Sequence, residues 1–297
     1  MKGAEVAKEM KETLIREANE LKEKGIDPCL AIIRVGARSA DLSYERGAEK
    51  RMELAGIACK VVELSEDITQ EEFEEEFQKV NQDPEVHGIL LFRPLPKHLN
   101  EEKIKNIIHP FKDVDCMSPV NLAKVFSGDD SGFAPCTPEA VIKMLEHYGI
   151  SLCGKKVTVV GRSMVVGRPL SMLLLKRHAT ITICHTRTKD LEKVCREADI
   201  LIAAAGKPRM ITGDMAKENA VIVDVGINVD EEGRMCGDVD FESLAEKAAF
   251  ITPVPGGVGG VTTSILAAHV LRGAKYLNGI SKRIKCLSPD IALILQK

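Results

Sequence analysis

Residues 155–169, KKVTVVGRSMVVGRP, run an apolar strand straight into a glycine-bearing turn that opens a helix. Val157, Val159 and Val160 favour a buried parallel strand, and Gly161 permits the sharp turn that aims the free N–H groups of the next helix at an anion. In the register of a GxGxxG fingerprint, Ser163 stands at the second glycine and Val166 at the third, with Gly167 one step later. By itself the turn reads either as a nucleotide phosphate loop or as an ordinary tight strand–helix connection.

The text on both sides sets the fold class. After an amphipathic helix ending near Gly25, residues 28–36 read as a strand and 40–55 as a helix closed by Gly56. CKVVELS then reads as a second strand, Thr69 and Glu72 form a capping box for a helix through Val80, and VHGILLFRP is a third strand. Beyond Pro110 the segment FKDVDCMSPVN is turn-rich and polar, and Thr137-Pro138 starts a helix through His147. From residue 155 the strands VTVV, TITIC, ILIAAA, AVIVDVG and FITPVP alternate with short helices, the pattern of a doubly wound parallel sheet. The expected architecture is α/β throughout: an N-terminal substrate domain over 1–137, a Rossmann-like domain over 138–261, and a C-terminal helix over 262–297 that packs back on the first domain.

A chain of 297 residues with 44% hydrophobic content can fill two such cores. Its formal net charge of -3, with interspersed signs, offers no basic field for nucleic acid. No apolar run approaches the roughly 20 residues that span a bilayer, and the N-terminus lacks a signal-peptide core, so a cytoplasmic protein is expected. The nine cysteines form no CxxC pair, and several lie in apolar segments. That pattern reads as buried reduced thiols, with no metal site expected.

The second strand of the later domain ends in Cys184-His185-Thr186-Arg187-Thr188, where an NAD site would carry an acidic residue for the ribose hydroxyl. Hydroxyls and a cation suit a 2′-phosphate instead, and Arg162 can supply a forked contact, so NADP is the expected cofactor. Thr186 or Thr188 could equally N-cap the next helix. His185 reads as a packing or hydrogen-bonding residue. AAAGKP (203–208), DVGIN (224–228) and TPVPGGVGG (252–260) put flexible turns at strand carboxyl ends, where open α/β sheets bind ligands.

Taken in order, VVGRSMVVGRP, TITICHTRT, ADILIAAAGKP, VIVDVGIN, GDVDF and ITPVPGGVG resemble the methylenetetrahydrofolate dehydrogenase/cyclohydrolase family, as do VG followed by Tyr44, HGILLFRPLP, FKDVD and PCTP in the first half. The resemblance covers nearly the whole chain. It implies two domains flanking a cleft, folate on the first and NADP on the second, in a homodimer. It implies hydride transfer from 5,10-methylenetetrahydrofolate to NADP, then hydrolysis of the methenyl product to 10-formyltetrahydrofolate. Cofactor contacts are implied at Gly161, Arg162, Ser163, Gly167, Thr186, Gly206, Ile227 and Thr262. Folate contacts are implied at Tyr44, Phe92, Asp115 and Gly259, with Tyr44 stacking on the pterin and Asp115 accepting its hydrogen bonds as the catalytic pair.

Departures from the family pattern cluster in the folate half. Its catalytic lysine falls four residues after the tyrosine, on the same helix face, and here that position is Ala48. Lys50 points roughly 200° away around a helix, and Arg51, nearer in angle, stays protonated. Phe92 replaces the glutamine that would face the lysine, Arg93 the following leucine, and Cys116-Met117 the usual Gly-Phe. Gly260 and Val261 stand for Pro-Met. Hydride transfer needs chiefly two bound rings, whereas hydrolysis needs proton movement. Three readings follow: a dehydrogenase with little or no cyclohydrolase activity, the full bifunctional enzyme, and a repurposed dinucleotide-binding protein.

Overall fold

The computed structural model describes residues 1–280, and Cys286 with the end of the 262–297 segment lies outside them. The chain divides into two compact units, one holding residues 13–121, 130–133 and 266 onward, the other 1–12, 122–129 and 134–265. The units are therefore not simple successive stretches of chain. The first twelve residues group with the later unit, because the Met1 amine donates to the Ile251 carbonyl and the Tyr148 hydroxyl receives the Lys2 N–H.

The earlier unit takes most of helix α1 (Gly3–Lys22), then strand β1 (Cys29–Val35), α2 (Ser39–Ala55), β2 (Ala58–Leu64), α3 (Gln70–Gln82), β3 (Gly88–Leu91) and α4 (Glu101–Ile107). Its sheet is parallel in the order β2-β1-β3, with Ile32 opposite both Val61 and Leu90. All seven residues of β1 are buried, as a central strand covered on both faces requires. Gly56 ends α2 in the left-handed conformation, and Thr69 and Glu72 form the expected capping box of α3, whose Phe73 and Phe77 turn into the core. The sequence reading missed α4, a two-turn helix capped by Asn100, and it read as turn the start of α5 (Pro119–Ser127).

FKDVD is built by buried charges. Lys112 donates through Nζ to the carbonyls of Asn81 at 2.8 Å and Asp83 at 2.7 Å, and burial pushes its pKa down to about 8. Asp113 accepts from the Met117 and Ser118 N–H groups at 2.8 and 2.9 Å and from the Asn121 amide at 2.8 Å. Both side chains hold the loop, and the motif's third charge, Asp115, is half-buried. Asp113→Ala would strand three buried donors, and a loss of about 2 kcal/mol is expected in urea unfolding.

The later unit begins at α6 (Cys136–His147) and continues through β4 (Lys156–Val160), α7 (Gly167–Leu175), β5 (Thr180–Cys184), α8 (Leu191–Arg196), β6 (Ile200–Ala203), β7 (Val221–Asp224), β8 (Asn228–Val229), β9 (Met235–Cys236), α9 (Phe241–Ala245), β10 (Phe250–Ile251) and α10 (Gly259–Leu277), the last running on into the earlier unit. Five strands form one parallel sheet in the order β10-β7-β6-β4-β5. The chain winds outward from β4 to β5, then returns to β6 on the other side of β4. That reversal opens a crevice at the carboxyl ends of β4 and β6. The β8–β9 ribbon, two residues a side, was not anticipated. The molecule is thus the expected two-domain α/β protein with parallel sheets.

Candidate active site

The crevice of the later unit is shaped by close backbone packing. Gly161 has φ 136°, and a Cβ there would collide with the Ala204 carbonyl. A Cβ on Gly167 would collide with the carbonyl of Gly161. Gly167 therefore does the close-packing work that the fingerprint gives its third glycine, one position late. Ser163 accepts the Val166 N–H through Oγ at 3.1 Å, so the hydroxyl at the second glycine position shapes the turn. Arg162, Ser163, Thr186 and Gly206 are exposed. The Gly161 N–H donates to the Cys184 carbonyl and the Ala204 N–H to that of Val160, which brings the ends of β5, β4 and β6 together.

Thr188 does not cap α8, whose first turn follows Asp190 in the left-handed conformation. Its hydroxyl accepts the His185 N–H at 2.8 Å, and His185 Nδ1 accepts that of Arg187 at 3.1 Å. His185 is a hydrogen-bonding residue that fixes the turn, leaving Thr186 and Arg187 exposed at its tip. Ile227 is 68% exposed and lies beside Gly259. Thr262 is buried, and its hydroxyl donates to the Val258 carbonyl of its own helical turn. An open glycine turn, a helix N-terminus and exposed Arg162, Ser163, Thr186 and Arg187 form a donor set that fits a phosphorylated dinucleotide.

Two aspartates that sequence reasoning left without a role lie beneath these loops. Asp224, ending β7, accepts N–H bonds from Gly226, Asp238 and Val239, while burial pushes its pKa up to about 6 against their pull. Asp238 accepts from three successive amides of the β6 loop. Their only signals were the VIVDVGIN string for Asp224 and the GDVDF string for Asp238.

In the earlier unit, of the candidate folate residues, Tyr44 sits on α2, Phe92 directly after β3 and Asp115 in the FKDVD loop. Arg34 on β1 anchors α2 through Glu45, Nε to Oε2 at 2.9 Å, while also holding Glu63 and the Gly36 carbonyl. Tyr44, 36% exposed, meets Phe92 edge to face with ring centroids 5.9 Å apart. One turn on, Ala48 is completely buried. Lys50 is exposed, as its angle on the helix requires. Arg51 is half-buried, its Nε has no hydrogen-bond partner among the described residues, and burial lowers its pKa. Arg93 pairs with Glu101 at 3.4 Å. Cys116 keeps a glycine-like backbone, φ 57°, and Met117 fills the hydrophobic core. The structure thus brings Tyr44 and Phe92 together and buries the Ala48 methyl one helical turn on from Tyr44.

Among the described residues no cluster of His, Cys, Asp and Glu could hold a metal ion, and no described helix is long and apolar enough to cross a membrane. The eight described cysteines form no disulfide with one another, and six of them are buried.

A parallel sheet with a phosphate-type turn at its switch point, joined to a second α/β unit, defines a two-domain dinucleotide-binding protein. Residues 1–115 match the model of the tetrahydrofolate dehydrogenase/cyclohydrolase catalytic domain, and residues 135–278 match that family's NAD(P)-binding domain. The chain belongs to the tetrahydrofolate dehydrogenase/cyclohydrolase family. It is 60% identical over 278 residues to the bifunctional protein FolD of Clostridioides difficile strain 630, covering 94% of this chain and 97% of that protein. The crystal structure of the bifunctional FolD of Campylobacter jejuni superposes with a TM-score of 0.90 at 43% identity, covering 93% of this chain and 98% of that one. The Trypanosoma brucei FolD, crystallised with NADP cofactor and an inhibitor, gives 0.88 at 36% identity over 93% and 97% of the two chains.

Proposed function

We propose that the protein is an NADP-dependent 5,10-methylenetetrahydrofolate dehydrogenase of one-carbon metabolism whose cyclohydrolase activity is weak or absent. The observation that carries this reading is the fully buried Ala48 at the lysine position, with Phe92 on Tyr44 at the glutamine position. When bound, NADP supplies the hydride acceptor. Gly161, Arg162, Ser163, Gly167, Thr186, Gly206, Ile227 and Thr262 form or support its site, and the NADP-bound relative from Trypanosoma brucei supports that choice of cofactor. Tyr44 and Phe92 offer aromatic surface to the pterin, Asp115 accepts its N–H groups, and Gly259 leaves room for the substrate.

Oxidation of the methylene bridge asks the protein to position two rings. The folate nitrogen stabilises the charge that develops. Hydrolysis asks for a proton acceptor near the attacking water, help worth about 10²–10⁴ in rate. Neither a methyl nor a phenyl group can serve. The full bifunctional reading is favoured by the names of the relatives at 60% and 43% identity. We place the protein in the cytoplasm as a homodimer, in keeping with its family.

Purified protein given methylenetetrahydrofolate and NADP should form NADPH and methenyl product one to one, with the methenyl species accumulating. Reduced cofactor and methenyl absorbance are followed at separate wavelengths. Equally fast appearance of 10-formyltetrahydrofolate would establish the bifunctional reading instead, and failure to reduce NADP despite binding it would point to a repurposed protein.

A further inference from the structure

The aspartate pair beneath the cofactor loops forms a two-tier relay. In the lower tier, Asp224 Oδ1 accepts the N–H groups of Gly226 at 2.9 Å and Asp238 at 3.0 Å, and Oδ2 accepts that of Val239 at 2.9 Å. The backbone N–H of Asp224 is itself held by the Thr252 hydroxyl at 2.7 Å. In the upper tier, Asp238 Oδ2 accepts from Ala205 N at 2.5 Å and Gly206 N at 2.9 Å. Its Oδ1 accepts from Lys207 N and from Asn228 Nδ2, both at 2.9 Å. Asp238 is entirely buried, and a Cβ on Gly226 would collide with its carboxylate.

A carboxylate that takes three successive amides fixes the conformation of the loop that supplies them. Here that loop follows β6 and bears Gly206, and the fourth bond ties it to Asn228, next to Ile227. Without the carboxylate, the amides of 205–207 would need other acceptors, and the loop would turn to find them.

We infer that Asp238 is a positioning residue for the cofactor, setting the β6 loop and the Ile227-Asn228 segment as one rigid ledge, and that Asp224 holds Asp238 in place. This rests on the reading that the later unit binds NADP. Asp238 does not touch the cofactor in this scheme. Its effect passes through the backbone amides of 205–207.

The test compares Asp238→Ala and Asp238→Asn with wild type by calorimetric NADP binding, by KM for each substrate, and by amide hydrogen exchange at 205–207. Losing these charge-assisted bonds should weaken NADP binding about tenfold or more in Asp238→Ala. Asp238→Asn keeps one oxygen and two donors, so it should fall between. KM for NADP should rise well beyond KM for methylenetetrahydrofolate, and exchange at 205–207 should quicken in step. A merely structural role would lower the melting temperature and leave NADP affinity and the ratio of the two KM values unchanged, which would overturn the inference. If Asp238→Ala does not fold, Asp238→Asn carries the same test, and wild-type affinity with unchanged exchange would refute it. Wild-type protein that binds neither NADP nor NAD would instead overturn the cofactor reading, and the inference with it.

Discussion

An Ala48→Lys, Phe92→Gln double variant is expected to gain cyclohydrolase activity by about 10²–10⁴, the range that positioned proton transfer contributes. Both changes are needed. Ala48 is fully buried, so a lysine placed there alone would bring an ammonium into an apolar setting beside the Tyr44–Phe92 pair. A glutamine in place of the phenyl ring supplies a hydrogen-bonding partner and room for the amine. Ala48→Lys alone should therefore give less activity than the double variant and lower stability. Dehydrogenase turnover should change far less, because hydride transfer does not draw on a base. The measurement is decay of methenyl absorbance on adding 5,10-methenyltetrahydrofolate, corrected for the uncatalysed rate. Wild-type hydrolysis well above the uncatalysed rate and as fast as that of the double variant would show that the native protein has another route to water activation.

How far the sequence exposed this site varies with the kind of interaction. Strand–turn–helix periodicity located both parallel sheets, because a buried parallel strand is written as a near-continuous apolar run such as CLAII in β1 or ILIA in β6. The helix read over residues 40–55 was legible, and α2 indeed runs unbroken from Ser39 to Ala55, so Tyr44 and Ala48 share a face. Short elements were not legible. Helix α4 and the β8–β9 ribbon hold too few residues for a period to show, and tertiary packing stabilises them. Asp224 and Asp238 escaped for a different reason. They act on backbone amides of segments distant in sequence, and hydrogen bonds of that kind leave no periodic trace. Thr188 shows the converse, since a hydroxyl before a helix reads as a cap while here it turns back to His185.

Gly161→Ala should be strongly damaging, because it joins backbone strain to a backbone clash. The φ of 136° is one that residues with a side chain rarely adopt, and the added methyl would collide with the Ala204 carbonyl at the end of β6. Backbone strain of about 1–3 kcal/mol combines with an overpacking cost of about 1–3 kcal/mol, so a loss near 4 kcal/mol is expected if the sheet does not yield. Yielding would cost function instead. Relief requires β4 and β6 to part at their carboxyl ends, breaking the Ala204 N–H bond to Val160 at 2.8 Å and shifting the turn that shapes the phosphate site. The variant should show a lowered melting temperature together with NADP binding weakened by at least about tenfold, each factor of ten corresponding to about 1.4 kcal/mol. Gly206→Ala provides the comparison, because a Cβ there meets no atom within 4 Å and only the left-handed backbone resists it. It should cost about 1 kcal/mol. Differential scanning calorimetry with and without NADP separates the two variants, and equal losses would mean that backbone conformation, rather than the close approach of β4 to Ala204, governs the turn.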